Sequence, residues 1–150
     1  SMGLKMKQVS ASSYEFSCTN LKSIKSIKTK EFPGYPTDLQ AQLIASLLKV
    51  GQKSKITENI FENRFIHIPE LRRFGAQLDI VGNTVVINKT NDLFGAEVMA
   101  TDIRASFSLI IAAIISKGTT TINRIYHLDR GYEDFDLKLK KCGVNIKRKK

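Results

Sequence analysis

At 150 residues and 42% apolar content, the chain can bury the core of one domain or serve as part of a larger one. Its 24 Lys and Arg against 14 Asp and Glu leave a net charge of +10, which draws phosphate groups, whether of a nucleic acid or of a small substrate. No apolar run is long enough to span a bilayer: the best, Ile103 to Ile115, is short and carries Ser106 and Ser108, and reads as a buried helix. The opening SMGLKMKQ lacks the apolar stretch of a signal peptide, and Ser1 and Met2 read as a tag remnant. Cys18 and Cys142 are far apart, and His67 and His127 have no carboxylate or thiol at ligand spacing. No disulfide framework, metal or cofactor is therefore expected, and the cytoplasm is the simplest compartment.

In chain order, SYEFSC (13–18) and KSIKTKEF (25–32) read as strands. A helix opens at Thr37-Asp38, with Leu39, Leu43 and Leu47 at four-residue spacing, and Gly51 stops it. KITENIF (55–61) is the next strand, followed by a helix with Pro69 in its first turn and Gly75 past its end. AQLDIV (76–81) then turns through Gly82-Asn83 into Thr84–Asn88, a hairpin. A second Thr-Asp, Thr101-Asp102, opens a helix with Ile103, Phe107, Ile111 and Ile115 on one stripe and apolar residues almost all round. Gly118, a strand TTTINRIY (119–126), a helix ending before Gly143 and a strand VNIKR (144–148) complete the chain.

These elements are one pattern written twice. Thr37 matches Thr101, Asp38 matches Asp102, Ile60-Phe61 matches Ile125-Tyr126, Arg64 matches Arg130, and Gly75 matches Gly143. The offset is 64 residues at the threonines and 68 at the glycines, too long for a solenoid, so each copy is a small α/β unit. The units span about 37–99 and 101–148, and residues from about 8 to 36 supply strands of a preceding unit that lacks its leading helix.

Thr37 with Gln40 fits a capping box, and Thr101 opens its helix in the same way, with Arg104 in the place of the glutamine. On this reading each aspartate falls in a first turn, where the helix dipole keeps it ionised. The plain interpretation is a helix start repeated because the unit is repeated. Arg64 and Arg130 each follow a strand beside an aromatic, and their plain role is an ion pair with Glu62 or Asp129. Carboxylates and arginines at element ends also suit an anionic substrate with a hydroxyl to deprotonate.

The strings PGYPTDLQAQ, ITENIFENRFIHIPELRRFGA, VMATDIRAS and TINRIYHLDRGYEDFDLKLKKCGVNI resemble the C-terminal part of the UDP-N-acetylglucosamine 1-carboxyvinyltransferases, from about Ser23 to Arg148. The sister family, the 5-enolpyruvylshikimate-3-phosphate synthases, shares the repeated unit but not FENRF or YHLDRGYE. The resemblance implies an α/β fold of repeated βαβαββ units in an inside-out barrel, helices within and sheets outside, here as a partial domain. It implies transfer of enolpyruvyl from phosphoenolpyruvate to the 3′-hydroxyl of UDP-N-acetylglucosamine, with loss of phosphate and no metal, as the first committed step of peptidoglycan synthesis.

Residue by residue, the resemblance makes Asp38 the general base at the sugar hydroxyl and Ile60 and Phe61 contacts to the nucleotide sugar. It sets Arg64, Asp102 and Arg104 on the cleft and gives Arg130 a grip on phosphoenolpyruvate. It also implies a missing remainder of the enzyme as partner. The family's lysine–asparagine pair and its loop with a cysteine acid belong to that remainder, and neither Cys18 nor Cys142 matches that loop. Both read as structural, and the chain alone is expected to be inactive. The competing reading is a basic nucleic-acid-binding module, with Tyr14 and Phe16 beside Lys22, Lys25 and Lys28 as its only interleaved aromatics. A non-catalytic scaffold has no need of Asp38, Arg64 and Arg130.

Overall fold

The computed structural model describes residues 2–149. It opens with an antiparallel hairpin, β1 (Lys5–Ser10) and β2 (Ser13–Ser17), exposed along both strands. A four-stranded sheet follows, in the order β3-β4-β6-β5, built from β3 (Ser26–Lys28), β4 (Ser54–Thr57), β5 (Leu78–Val81) and β6 (Thr84–Ile87). β3 and β4 run parallel, and the chain between them holds a 3-10 turn at Thr37–Leu39 and helix α1 (Gln40–Leu47). The same crossover recurs as β7 (Glu97–Met99), α3 (Ile103–Ile115) and β8 (Thr121–Asn123), again with parallel strands. A parallel pair needs such a crossover, so the two copies of the sequence pattern fold as two βαβ units.

α1 and α3 pack on each other at the centre. Ile44, Leu47 and Leu109 meet there, and Ile56, Val85 and Ile87 close over them from the sheet, all essentially without solvent contact. α2 (Ile68–Arg73) adds Leu71 and Phe74. Ile80 and Val81, next to the turn of the β5–β6 hairpin, are exposed. Helices within and sheets outside is the expected architecture. A second cluster joins Ile110 of α3 to Leu128 of α4 (Tyr126–Asp129) and Phe135 of α5 (Phe135–Lys141), with Phe107 stacked on Tyr132 at 4.5 Å. Pro69 sits in the first turn of α2, and Gly75 and Gly143 end α2 and α5 at φ 89°, a left-handed conformation that favours glycine.

Several strands are shorter than their apolar runs. The one expected over 119–126 ends at Asn123, because Arg124 takes φ 58° and turns the chain into α4. The one expected over 55–61 ends at Thr57, where the side chain of Glu58 captures the next backbone donors. The strand expected at 144–148 does not form. In the first unit the strand in that place, β5, is held by β6 alone, and among the described residues no strand pairs with residues 144–149.

Candidate functional site

The two Thr-Asp motifs do different work. The expected capping box at Thr37 is absent: the 3-10 turn starts after Pro36 with no side-chain cap. Thr37 Oγ1 instead donates to Glu58 Oε2 at 2.7 Å and accepts from Arg64 Nη1 at 2.6 Å. Gln40 does not reach back, and its buried carboxamide has no partner among the described residues. In the second unit the cap is Asp102 rather than Thr101. Its backbone is extended, and its Oδ1 accepts from the N–H groups of Arg104 at 2.8 Å and Ala105 at 3.0 Å. An aspartate side chain reaches these donors as readily as a threonine hydroxyl, so the motif alone leaves two candidates for the cap.

Asp38, free of a capping role, is 65% exposed at its side chain and gathers an arginine from each unit. Arg64 Nη2 lies 2.8 Å and Arg104 Nη1 3.0 Å from the same oxygen, Oδ1. The hydrogen bond from Arg104 leads and burial, which acts the other way, comes next; with Arg64's hydrogen bond and both positive charges added, the Asp38 carboxyl is held below the ordinary carboxylate value. Arg64 is the more enclosed of the two, with its guanidinium 4.5 Å over the ring of the exposed Phe61. The ion pair expected for Arg64 with Glu62 gives way to this one, and Asp129 pairs with Arg148.

Glu58 organises the loop that carries Ile60, Phe61 and Arg64, and sequence reading missed it. Buried at 3% exposure, it accepts from Thr29 Oγ1, Thr37 Oγ1 and the N–H groups of Ile60 and Phe61 at 2.7–3.2 Å. Burial is the largest single influence on its carboxyl and pushes the pKa up. The four hydrogen bonds outweigh it together, and the net result lies below the ordinary value. A signal was present: Ser54, Ile56 and Glu58 alternate onto the inward face, so the sequence writes an acid where an apolar residue belongs.

Thr37, Gln40, Asn63, Arg64, Asp102 and Arg104 line a cleft of about 310 Å³ between the starts of α1 and α3. His67 closes its floor. Burial pushes that imidazole down to about 4, opposed by the charge of Asp102, so it is neutral at pH 7, and its Nε2 has no partner among the described residues. Arg130 is not brought to this cleft. It lines a second hollow with Asp129 and Arg148, and its guanidinium makes no hydrogen bond or ion pair among the described residues. Cys18 and Cys142 are exposed free thiols away from both hollows. Tyr14 belongs to the hairpin sheet and Lys28 to the four-stranded one, so they share no sheet face. The cleft thus offers two guanidiniums for an anion, and the exposed Asp38 carboxylate that they share is a group able to accept a proton.

The EPSP synthase (3-phosphoshikimate 1-carboxyvinyltransferase) family model matches residues 1–139. Among curated relatives, the UDP-N-acetylglucosamine 1-carboxyvinyltransferase of Pelagibacter ubique is 57% identical over 122 residues, 81% of this chain and 29% of that protein. The enzyme of the same name from Rhodopseudomonas palustris is 56% identical over the same share of this chain and 28% of its own length. The chain therefore spans under a third of the length of these relatives. Among solved structures, the enolpyruvyl transferase NikO from Streptomyces tendae superposes with a TM-score of 0.84 at 25% identity, covering 97% of this chain and 34% of NikO. EPSP synthase from Acinetobacter baumannii shares the fold, with a TM-score of 0.73 at 17% identity over 99% of this chain and 35% of its own. The repeated βαβ units, the paired Thr-Asp turns and the family match agree: the chain belongs to the EPSP synthase family of enolpyruvyl transferases.

Proposed function

We propose that this chain forms one wall of the cleft of an enolpyruvyl transferase that acts on UDP-N-acetylglucosamine and phosphoenolpyruvate in peptidoglycan synthesis in the cytoplasm. The observation that carries the proposal is the convergence of Arg64 and Arg104, one from each unit, on a single oxygen of Asp38. Guanidiniums that meet at a carboxylate also suit the carboxylate or phosphate of a substrate. When a substrate anion takes over their hydrogen bonds, Asp38 loses the contacts that depress its pKa and becomes a stronger base. It then accepts the proton of the sugar 3′-hydroxyl as that oxygen bonds to C2 of phosphoenolpyruvate. The methylene carbon takes up a proton from an acid outside this chain, giving a tetrahedral ketal. Loss of phosphate and of a proton from the methyl group so formed restores the double bond in the product.

Arg130, which lies in the separate hollow with Asp129 and Arg148, adds a further cation for phosphoenolpyruvate when the rest of the longer enzyme brings that substrate to it. Ile60 meets the nucleotide sugar through its side chain or carbonyl, since its N–H is engaged by Glu58. Phe61 offers an exposed ring beside it. Asp102 acts by fixing the start of α3, which carries Arg104. The partner of this wall is the rest of the longer enzyme, and the chain by itself releases no phosphate from the two substrates.

Backbone amide shifts of the labelled chain test the reading. With UDP-N-acetylglucosamine, shifts at Asp38, Ile60 and Phe61 are expected. A parallel titration with a short oligonucleotide should leave the spectrum unchanged. Shifts along Lys22, Lys25 and Lys28 with the oligonucleotide, and silence with the nucleotide sugar, overturn it in favour of a nucleic-acid-binding module.

A further inference from the structure

Thr37 stands between two charged groups and can serve each in one way only. A hydroxyl has one hydrogen and two lone pairs. The Glu58 carboxyl, held below its ordinary pKa, is ionised and only accepts, so the Thr37 hydrogen goes to Glu58 Oε2 at 2.7 Å. The lone pairs of Thr37 Oγ1 are left for Arg64 Nη1, which donates to them at 2.6 Å. Glu58 is itself fixed, because Thr29 Oγ1 and the N–H groups of Ile60 and Phe61 hold its other oxygen at 2.8–3.2 Å. A chain of bonds therefore runs from the core to the surface through Glu58, Thr37 and Arg64, and ends where Arg64 Nη2 meets Asp38 Oδ1 at 2.8 Å.

The second unit has no such device. β3 and β4 pair Lys28 with Thr57, and β7 and β8 pair Met99 with Asn123, so Arg124, directly after β8, takes the place of Glu58. The next backbone bonds agree: Thr29 N–H donates to Thr57 O, and Ala100 N–H to Asn123 O. An arginine has no acceptor with which to aim Thr101, and the guanidinium of Arg124 is turned onto the Tyr126 hydroxyl. The two cations at Asp38 differ accordingly. Arg64 is 16% exposed at its side chain, bonded at both Nη atoms and laid 4.5 Å over the Phe61 ring. Arg104 is 44% exposed, with Asp38 at 3.0 Å and Asp102 at 3.9 Å as its ion-pair partners.

We propose that Thr37 is a positioning residue: with its hydroxyl aimed by Glu58, it fixes one nitrogen of Arg64 and leaves the other to pass from Asp38 to a substrate anion, while Arg104 is the mobile cation of the pair. This rests on the reading of Asp38 and its arginines as the reacting centre. A guanidinium held in advance is spared the side-chain entropy that a long flexible cation loses when it meets its anion.

The guanidinium nitrogen resonances of the labelled chain read this directly. Rotation about the Nε–Cζ bond averages the two Nη signals of a free arginine, and a bond at each Nη slows it. Arg64 should give separate Nη1 and Nη2 signals, and Arg104 a single averaged one. Thr37→Val removes the hydroxyl at nearly constant size and should merge the Arg64 signals. Thr37→Ser keeps the hydroxyl and should leave them apart. Circular dichroism of both variants should match that of the parent, which separates loss of the bond from loss of the fold. In the longer enzyme, kcat/KM should fall with Thr37→Val and stay near the parent value with Thr37→Ser. Merged Arg64 signals in the parent chain, separate signals that survive Thr37→Val, or a kcat/KM indifferent to that change overturns the inference. The measurements on the chain use no substrate, so failure of the enzyme reading shows elsewhere, as silence of the backbone amides with UDP-N-acetylglucosamine.

Discussion

Arg64 and Arg104 meet at one oxygen of Asp38, although Asp38 and Arg104 are 66 residues apart in the chain. The carboxylate is two-thirds exposed, so these contacts add little to stability. Asp38→Asn should change the unfolding free energy by less than about 1 kcal/mol. In the longer enzyme the same change removes the base and should lower kcat by roughly 10²–10⁴-fold. Melting curves of the chain and turnover of the longer enzyme check the two halves. An unchanged pH profile of kcat in the Asp38→Asn enzyme rules out the base role.

Glu58→Ala strands four donors in or beside the core and should cost about 2–4 kcal/mol. Glu58→Gln keeps part of the acceptor capacity and should cost less. Denaturant unfolding gives the magnitudes, and amide exchange at Ile60 and Phe61 should quicken in both variants. The folded carboxyl has the lower pKa, so its contribution is complete above the ordinary value of 4.5 and fades as pH falls through the folded one.

His67 gives a second pH dependence in a different window. Its folded pKa of about 4 lies below the ordinary 6.5, so the unfolded chain takes up its proton first as pH falls. Stability is therefore full above 6.5 and declines towards 4, by roughly 3 kcal/mol from this group. His67→Phe should flatten the slope between those limits. An unchanged slope in the variant assigns the acid sensitivity to the carboxylates.

Gly95 faces the backbone of Thr119, beside the bridge between Phe94 and Lys117 that leads into β7 and β8. A methyl group there collides with main-chain atoms rather than with a flexible side chain. Gly95→Ala should cost roughly 2–4 kcal/mol, read by thermal unfolding. Loss of amide protection centred on Glu97 to Met99 should accompany it.

The repeat was legible because identical turn residues and apolar spacings recur at a fixed offset, and both βαβ crossovers follow from it. Strand ends were not legible, since they are set by partners far along the chain. Residues 144–148 have the composition of β5 but lack a neighbour to pair with, and propensity alone does not make a ladder. At the site, Asp38, Arg64 and Arg104 were each singled out from the sequence, while their meeting at one atom depends on how two units pack. Gln40 suggested a capping box by spacing alone, but Glu58, whose inward place only the strand alternation signals, had already claimed Thr37. Arg130 shows the limit of the pairing argument: it aligns with Arg64, yet its unit carries it to another hollow.

The bond from Arg104 to Asp38 also has a mechanical meaning. Arg104 rides on the first turn of α3 and Asp38 on the turn before α1, so a slide or tilt of one helix against the other changes that contact. The carboxyl carbon resonance of Asp38 thus serves as a gauge for the angle between α1 and α3.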